Sequence, residues 1–192
     1  MVRGSELARK LKTVRLSVPV LRGVLIWSGA LAAEQVVVRH TEGLVHGFLV
    51  LRNTAGKILA DGELLQVARG DRVTSRLVFR FKDGSLRDET AVFSQRGHFQ
   101  LISDRLVQKG PSFPQPLAIS IDRANGRVTV HYTENDGEQK VADERMDLPV
   151  DLANGIILTL LKNVGTQPPA SVSMVVTTPK PRLVKLLSRL RA

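Results

Sequence analysis

Turn-forming residues recur at intervals of about ten positions between Glu34 and Gly137, and the segments between them are rich in Val, Ile, Thr and Phe. This spacing is typical of antiparallel strands joined by short loops, because parallel strands need longer crossovers than these intervals allow. The sequence therefore predicts a meander. Its breaks fall at Glu42-Gly43, Asn53 to Gly56, Gly70-Asp71, Asp83-Gly84, Arg96-Gly97, Pro111 to Pro116, Ala124 to Gly126 and Asn135 to Gly137.

Alternation within the segments predicts how the strands face the core. In residues 72–82, Val73, Leu77, Phe79 and Phe81 share one face, and charged or polar side chains share the other. Asp83-Gly84 then predicts a two-residue hairpin turn. The strand after it mixes acids with apolar residues on both faces, as expected when a curled sheet has an element packed on its concave side. We therefore expect a mainly β fold: a curved antiparallel meander, barrel-like but incomplete.

A helix is expected at residues 151–163, where apolar side chains form one broad face. Asn154-Gly155 lies in its first turns, and Gly costs about 1 kcal/mol relative to Ala in a helix, so a start at Asn154 is the alternative. This late helix would pack on the sheet. Ser171 to Thr178 then predicts a further strand at a sheet edge.

The net charge of +10 lies at the two ends of the chain. Residues 1–32 and 180–192 each contribute +5, and the remainder is neutral. A nucleic-acid-binding protein needs a clustered basic surface on its folded domain, so this distribution argues against one. The hydrophobic fraction of 43% excludes a disordered chain, and the absence of Cys excludes disulfides, thiolate zinc sites and iron–sulfur clusters.

Residues 1–32 have the order of a secretory signal peptide: a basic stretch through Arg22, a short apolar run, and Ala30-Leu31-Ala32 before the cleavage point. An amphipathic N-terminal helix is the alternative, and the apolar run is shorter than the roughly 20 residues of a membrane span. We expect an exported, soluble, periplasmic or extracellular protein. Its single β domain would comprise residues 33–179.

The tail, residues 180–192, is basic and amphipathic. Leu183, Leu186, Leu187 and Leu190 have the spacing of a short amphipathic helix that would contact anionic membrane, but a poorly packed tail without this role is the favoured interpretation. A strand beginning at Leu183 is a further alternative. The residues predicted to contact the membrane are Lys180, Arg182, Lys185, Arg189 and Arg191.

Several segments together resemble a family of uncharacterised exported bacterial proteins of the domain-of-unknown-function kind. The resemblance covers most of residues 41–184, and it implies a curved antiparallel sheet with a late helix, similar in layout to the periplasmic lipoprotein carriers. It implies no activity and no catalytic residues. Similar sequences continue in strands where this chain departs after Val184, so we expect a shortened member with an incomplete sheet. The segments that carry the resemblance are TEG at 41–43, GFLV at 47–50, FRFKDG at 79–84, QKGPSF at 108–113, LPVDLANG at 148–155 and TPKPR at 178–182.

No arrangement of residues predicts catalysis, a metal or a cofactor. Ser85 and Ser112 lie in turns without a base placed near them, and the adjacent acids Asp88 and Glu89 point to opposite faces of a strand. These acids are expected to form salt bridges with Arg76, Arg80 or Arg87. The loose group His40, Glu42 and His46 is not expected to bind a metal.

Two functions remain open from the sequence. The first is an exported binding module that holds an apolar or lipid-like ligand, or a lipidated partner, in the curved sheet. The second is a structural or interaction protein of the cell envelope without a ligand; a hydrolase assembled from distant strands is a third and weaker hypothesis. The residues predicted to line the ligand site are Phe79, Phe81, Phe93, Phe99, Phe113, Ile157 and Leu160.

Overall fold

Eight strands form one antiparallel sheet in which each strand pairs with the next strand of the chain. The computed structural model describes residues 35–134, 136–164, 171–177 and 180–187. The predicted meander is confirmed, and the sheet stays open because its two end strands do not pair with each other. The strands are β1 (Val45–Arg52), β2 (Ile58–Arg69), β3 (Arg72–Phe81), β4 (Leu86–Ser94), β5 (Gln100–Lys109), β6 (Leu117–Asp122), β7 (Arg127–Thr133) and β8 (Gln139–Arg145).

Four residues separate β3 from β4, and the Phe81–Ser85 pair encloses three of them rather than the two expected. Phe81 and Ser85 close the hairpin, with the Phe81 N–H donating to the Ser85 carbonyl at 2.9 Å. The Gly84 N–H donates to the Phe81 carbonyl at 3.1 Å, and Gly84 has a φ of 85°. This is a tight turn followed by one left-handed residue, so only Gly84 needs a positive φ.

The two faces of the sheet differ in what covers them. We call the face that carries Val73, Ala91, Leu106, Ile119 and Val130 the concave face, and the opposite one the outer face. These five side chains belong to one buried core with residues of the later helix segment. Because strands β3 to β7 all contribute to this single core, the sheet curves around it as predicted.

The helix α1 (Ile157–Asn163) is shorter than predicted at its start. Gly155 has a φ of 67°, which a helix does not accommodate. The buried side chain of Asn154 is bonded instead to the backbone of Val175, which its Oδ1 meets at 2.8 Å and its Nδ2 at 3.0 Å. Residues 154–156 form a turn before α1, with the Ile156 N–H donating to the Ala153 carbonyl at 3.1 Å, so both predicted start positions are wrong.

Two further strands form a separate hairpin, β9 (Ser171–Thr177) with β10 (Pro181–Leu187). The strand predicted after the helix is confirmed, but it pairs with β10 and not with an edge of the eight-stranded sheet. The helical interpretation of the tail is wrong across β10, because all seven of its residues pair with β9. Pro181 suits the first position of an outer strand, where its missing N–H is tolerated. Within the described ranges, no helix is long and apolar enough to cross a bilayer.

The chain before β1 is held by the end of α1. Buried Asn163 accepts hydrogen bonds through its Oδ1 from the N–H groups of Arg39, at 2.9 Å, and His40, at 2.7 Å. Its Nδ2 donates to the Thr159 carbonyl at 2.9 Å. One amide side chain therefore ties the segment that enters the sheet to the helix that covers it.

Candidate functional site

The helix segment covers only part of the concave face. The buried core contains residues at one end of β3 to β5, such as Val73, Phe93 and Leu101. The residues that cover them from the helix segment are Leu148, Leu152, Ile156 and Leu160. Farther along β1 to β3, apolar side chains of the same face lie outside this core and are partly exposed. We call this region the open end. Its residues are Leu49, Leu64, Leu77, Phe79 and Phe81.

Aromatic rings form the floor and one side of the open end. Phe79 lies flat across β2, because a Cβ built on Gly62 would come within 2.6 Å of the Phe79 Cε1 atom. Phe81 packs edge-on against Phe113 of the β5–β6 loop, with ring centroids 5.3 Å apart. Because residue 62 is a glycine, the Phe79 ring occupies the space over β2 that a larger side chain at this position would take.

Three charged residues lie on the concave face between the open end and the core, and we call them the charge cluster: Arg87, Glu89 and Asp104. Arg87 faces Phe79 across the β3–β4 pair, and Glu89 faces Leu77. The Arg87 Nη2 donates to the Glu89 Oε2 at 2.8 Å, and both side chains are largely buried. This pair places a fixed polar group beside an otherwise apolar surface.

Asp104 is the most buried member of the cluster, with 2% of its surface exposed. Its Oδ1 has no hydrogen-bond partner in the described part of the chain. Gly155 lies directly on it, since a Cβ on that glycine would be 2.6 Å from this oxygen. Burial, helped by the charge of Glu89, raises the pKa of Asp104 to about 8. At neutral pH the carboxyl is therefore protonated.

The acids adjacent in sequence separate as predicted. Glu89 points to the concave face, whereas Asp88 lies on the outer face and accepts from the Arg76 Nη2 at 2.6 Å. That hydrogen bond lowers the pKa of Asp88. The predicted salt bridges of these acids with Arg76 and Arg87 are confirmed, and Arg80 lies instead 3.6 Å from Glu63.

The two turn serines lock one hairpin to a neighbouring loop. The Ser112 Oγ donates to the Asp83 Oδ2 at 2.6 Å, and the Ser112 N–H donates to the Ser85 Oγ at 2.7 Å. Gly110 sits on Ser85 so closely that a Cβ there would be 2.6 Å from its Cα. This contact fixes the loop that carries Phe113, and the hydroxyls are engaged in turn structure.

The residues predicted to bind a ligand fall into two groups. Phe93 and Phe99 pack together in the core with ring centroids 6.0 Å apart, and Leu160 is buried with them. Ile157 is partly buried against this core. The cavity under α1, lined in part by Phe99 and Leu160, measures about 10 Å³, which is room for one water at most. Phe79, Phe81 and Phe113 form the second group, at the open end.

The histidines and acids considered for a metal are engaged elsewhere. Glu42 is bound by Lys162 at 2.5 Å, and His46 lies 3.0 Å from Glu63. Three exposed acids cluster at the β7–β8 turn, where Glu138 also contacts Lys140 at 2.7 Å. The acids of that turn are Glu134, Asp136 and Glu138.

Of the residues predicted to contact a membrane, Lys180, Arg182 and Lys185 are exposed. Arg182 and Lys185 are three positions apart on β10, so their side chains point to opposite faces of that strand. Arg189 and Arg191 lie outside the described residues, as does the predicted signal peptide.

Comparison of the chain with protein-family models, with curated proteins and with solved structures gave no match. The functional proposal below therefore rests on the geometry of the concave face.

Proposed function

We propose that this protein is an exported binding module that holds an apolar or lipid-like ligand, or the lipid part of a partner, at the open end of the sheet. The observation that carries the proposal is the division of the concave face. The helix-covered part is filled, whereas Leu77, Phe79 and Phe81 continue the same apolar face without joining the core.

The charge cluster suits a ligand that is apolar along most of its length and polar at one end. Arg87 has five N–H donors, and only one hydrogen bond, to Glu89, occupies them among the described residues. About a third of its side chain is exposed. An apolar chain would lie along Phe79 and Phe81, and its polar end would accept from Arg87.

Ligand binding is tested by native mass spectrometry of the purified protein before and after delipidation, and by displacement of a fluorescent fatty acid. Bound lipid that delipidation removes and the probe replaces supports the proposal. Phe79→Ala is expected to weaken probe binding about tenfold, because it removes a large apolar contact worth more than 1 kcal/mol.

Phe48→Ala is the matched control, because Phe48 is an exposed phenylalanine on the outer face. It should leave probe affinity unchanged. A protein that holds no lipid and gives no saturable probe binding would contradict the proposal and favour an envelope interaction protein without a ligand.

A further inference from the structure

The two edges of the sheet differ in charge. The edge strand β8 carries four charged residues in seven, Lys140, Asp143, Glu144 and Arg145. The edge strand β1 has a single charge, on its last residue, Arg52. Charged side chains on an edge discourage pairing with another strand. In the described part of the chain no strand pairs with the free edge of β1, and it lacks this protection.

The outer face beside this edge carries several exposed apolar side chains. Leu44 and Phe48 are each 81% exposed, Val50 is 49% exposed, and Leu65 on the neighbouring strand is 44% exposed. Two acids of β2 lie beside these side chains: Glu63, opposite Phe48, is bound by His46 and Arg80, and exposed Asp61 lies opposite Val50. The unpaired edge and the exposed apolar side chains form one continuous surface, which we call the β1 surface. Contiguous exposed apolar side chains of this kind mark interaction sites.

The polarity of β1 is symmetrical about Phe48. If two copies of β1 pair in antiparallel fashion with Phe48 opposite Phe48, His46 lies opposite Val50 on the outer face. On the concave face, Val45 then lies opposite Leu51, and Gly47 lies opposite Leu49. No pair joins two charges, and Arg52 falls at the end of the interface.

Other antiparallel registers are poorer. A shift that centres the pair on Val50 places Arg52 opposite Phe48 and leaves the first part of β1 unpaired. A shift that centres it on His46 places Glu42, which is bound by Lys162, at the interface opposite Val50. Of these three registers, the one centred on Phe48 gives the best match between two copies of β1.

We propose that the β1 surface binds a second copy of the chain, with the two β1 strands antiparallel and the two-fold axis at Phe48. The two eight-stranded sheets then become continuous, and the apolar side chains of the two outer faces meet. A single strand pair buries less than the roughly 1,600 Å² of a standard stable interface. Dimer formation is therefore expected to depend on protein concentration. This inference rests on other observations than the proposed ligand site, which lies on the concave face and includes β1 only through Leu49.

Sedimentation equilibrium over a wide concentration range tests the association. A dimer fraction that rises with concentration is expected, and Phe48→Lys should weaken the association at least about tenfold. Val141→Lys is the matched control, because Val141 is 60% exposed on the other edge strand; it should leave association unchanged. A protein that stays monomeric at all concentrations, or a dimer that tolerates Phe48→Lys, overturns the proposal.

The register is tested separately by cross-linking, which is simplified because the chain has no cysteine. His46→Cys and Val50→Cys are made as single variants, each retaining Phe48. The proposed register places residue 46 of one copy opposite residue 50 of the other, whereas each position is about 13 Å from its own equivalent. Under mild oxidation, a mixture of the variants should form covalent dimer several-fold faster than either alone. Equal rates overturn the proposed pairing.

Discussion

Replacement of Asp104 by Asn is expected to remove most of the pH dependence of stability between pH 5 and 7. Burial raises the pKa of Asp104 to about 8 in the folded protein, while an unfolded chain has the ordinary value of about 3.9. Between these values the folded state binds one more proton than the unfolded state. The free energy of unfolding therefore falls as pH rises, and the fall ends above pH 8, where both states are ionised.

The size of the effect follows from the same linkage. One pH unit corresponds to about 1.4 kcal/mol per proton, so Asp104 alone lowers the free energy of unfolding by about 3 kcal/mol between pH 5 and 7. Asn has nearly the same shape and does not titrate. The free energy of unfolding of Asp104→Asn minus that of the unmodified protein should therefore increase by about 1.4 kcal/mol for each pH unit.

Urea unfolding at pH 5, 6 and 7 measures this difference. Asp143→Asn is the control, since a hydrogen bond from Arg127 lowers the pKa of exposed Asp143. Asp143 is ionised in both states throughout this range, so its variant should differ from the unmodified protein by a constant amount. Parallel stability curves for Asp104→Asn and the unmodified protein would refute the reasoning. If the variant does not fold, carboxyl NMR of the unmodified protein gives the pKa directly, and a midpoint below about 5 refutes it equally.

Three further substitutions test the packing around the site. Gly155→Ala should lower the free energy of unfolding in urea by about 3 kcal/mol, because the new Cβ would lie 2.6 Å from the Asp104 Oδ1. Gly56→Ala is the control: this glycine has a similar positive φ but lies in open space, so the loss should be about 1 kcal/mol. Asn163→Ala should lower the free energy of unfolding by about 2 kcal/mol. Amide hydrogen exchange should increase first at Arg39 and His40, whose N–H groups the Asn163 side chain binds. Gly62→Ala should lift the Phe79 ring and weaken fatty-acid probe binding about tenfold with little loss of stability.

The meander was predictable because its evidence is local. A turn signal between two alternating segments determines that they pair, and the partition of residues 72–82 into an apolar and a charged face is observed as predicted. The face of each acid was also predictable, since Asp88 and Glu89 must point opposite ways. The sequence did not reveal which acid is buried, because that depends on what the chain places on the sheet about sixty residues later.

The late start of α1 and the burial of Asp104 both follow from the same long-range contact. The apolar spacing after Asp151 favours a helix, but Asn154 bonds to the backbone of Val175, and this long-range contact cannot be read from local pattern. The resulting left-handed turn places Gly155 on Asp104. The one available signal for Asp104 was its position on β5: an acid between Leu101 and Leu106, the two buried apolar residues of that strand.

The alternation of side chains across the sheet makes the two proposals separable. Phe48 faces outward and Phe79 faces the concave side, and the two surfaces share only the β1 residue Leu49. A substitution at Phe48 that prevents dimer formation should leave fatty-acid binding intact, and Phe79→Ala should leave sedimentation unchanged. In the proposed register Leu49 of each open end lies opposite Gly47 of the other copy, so the two ligand sites of the dimer would adjoin on the continuous concave face. Loss of both properties in either variant would indicate misfolding, which unchanged urea unfolding excludes.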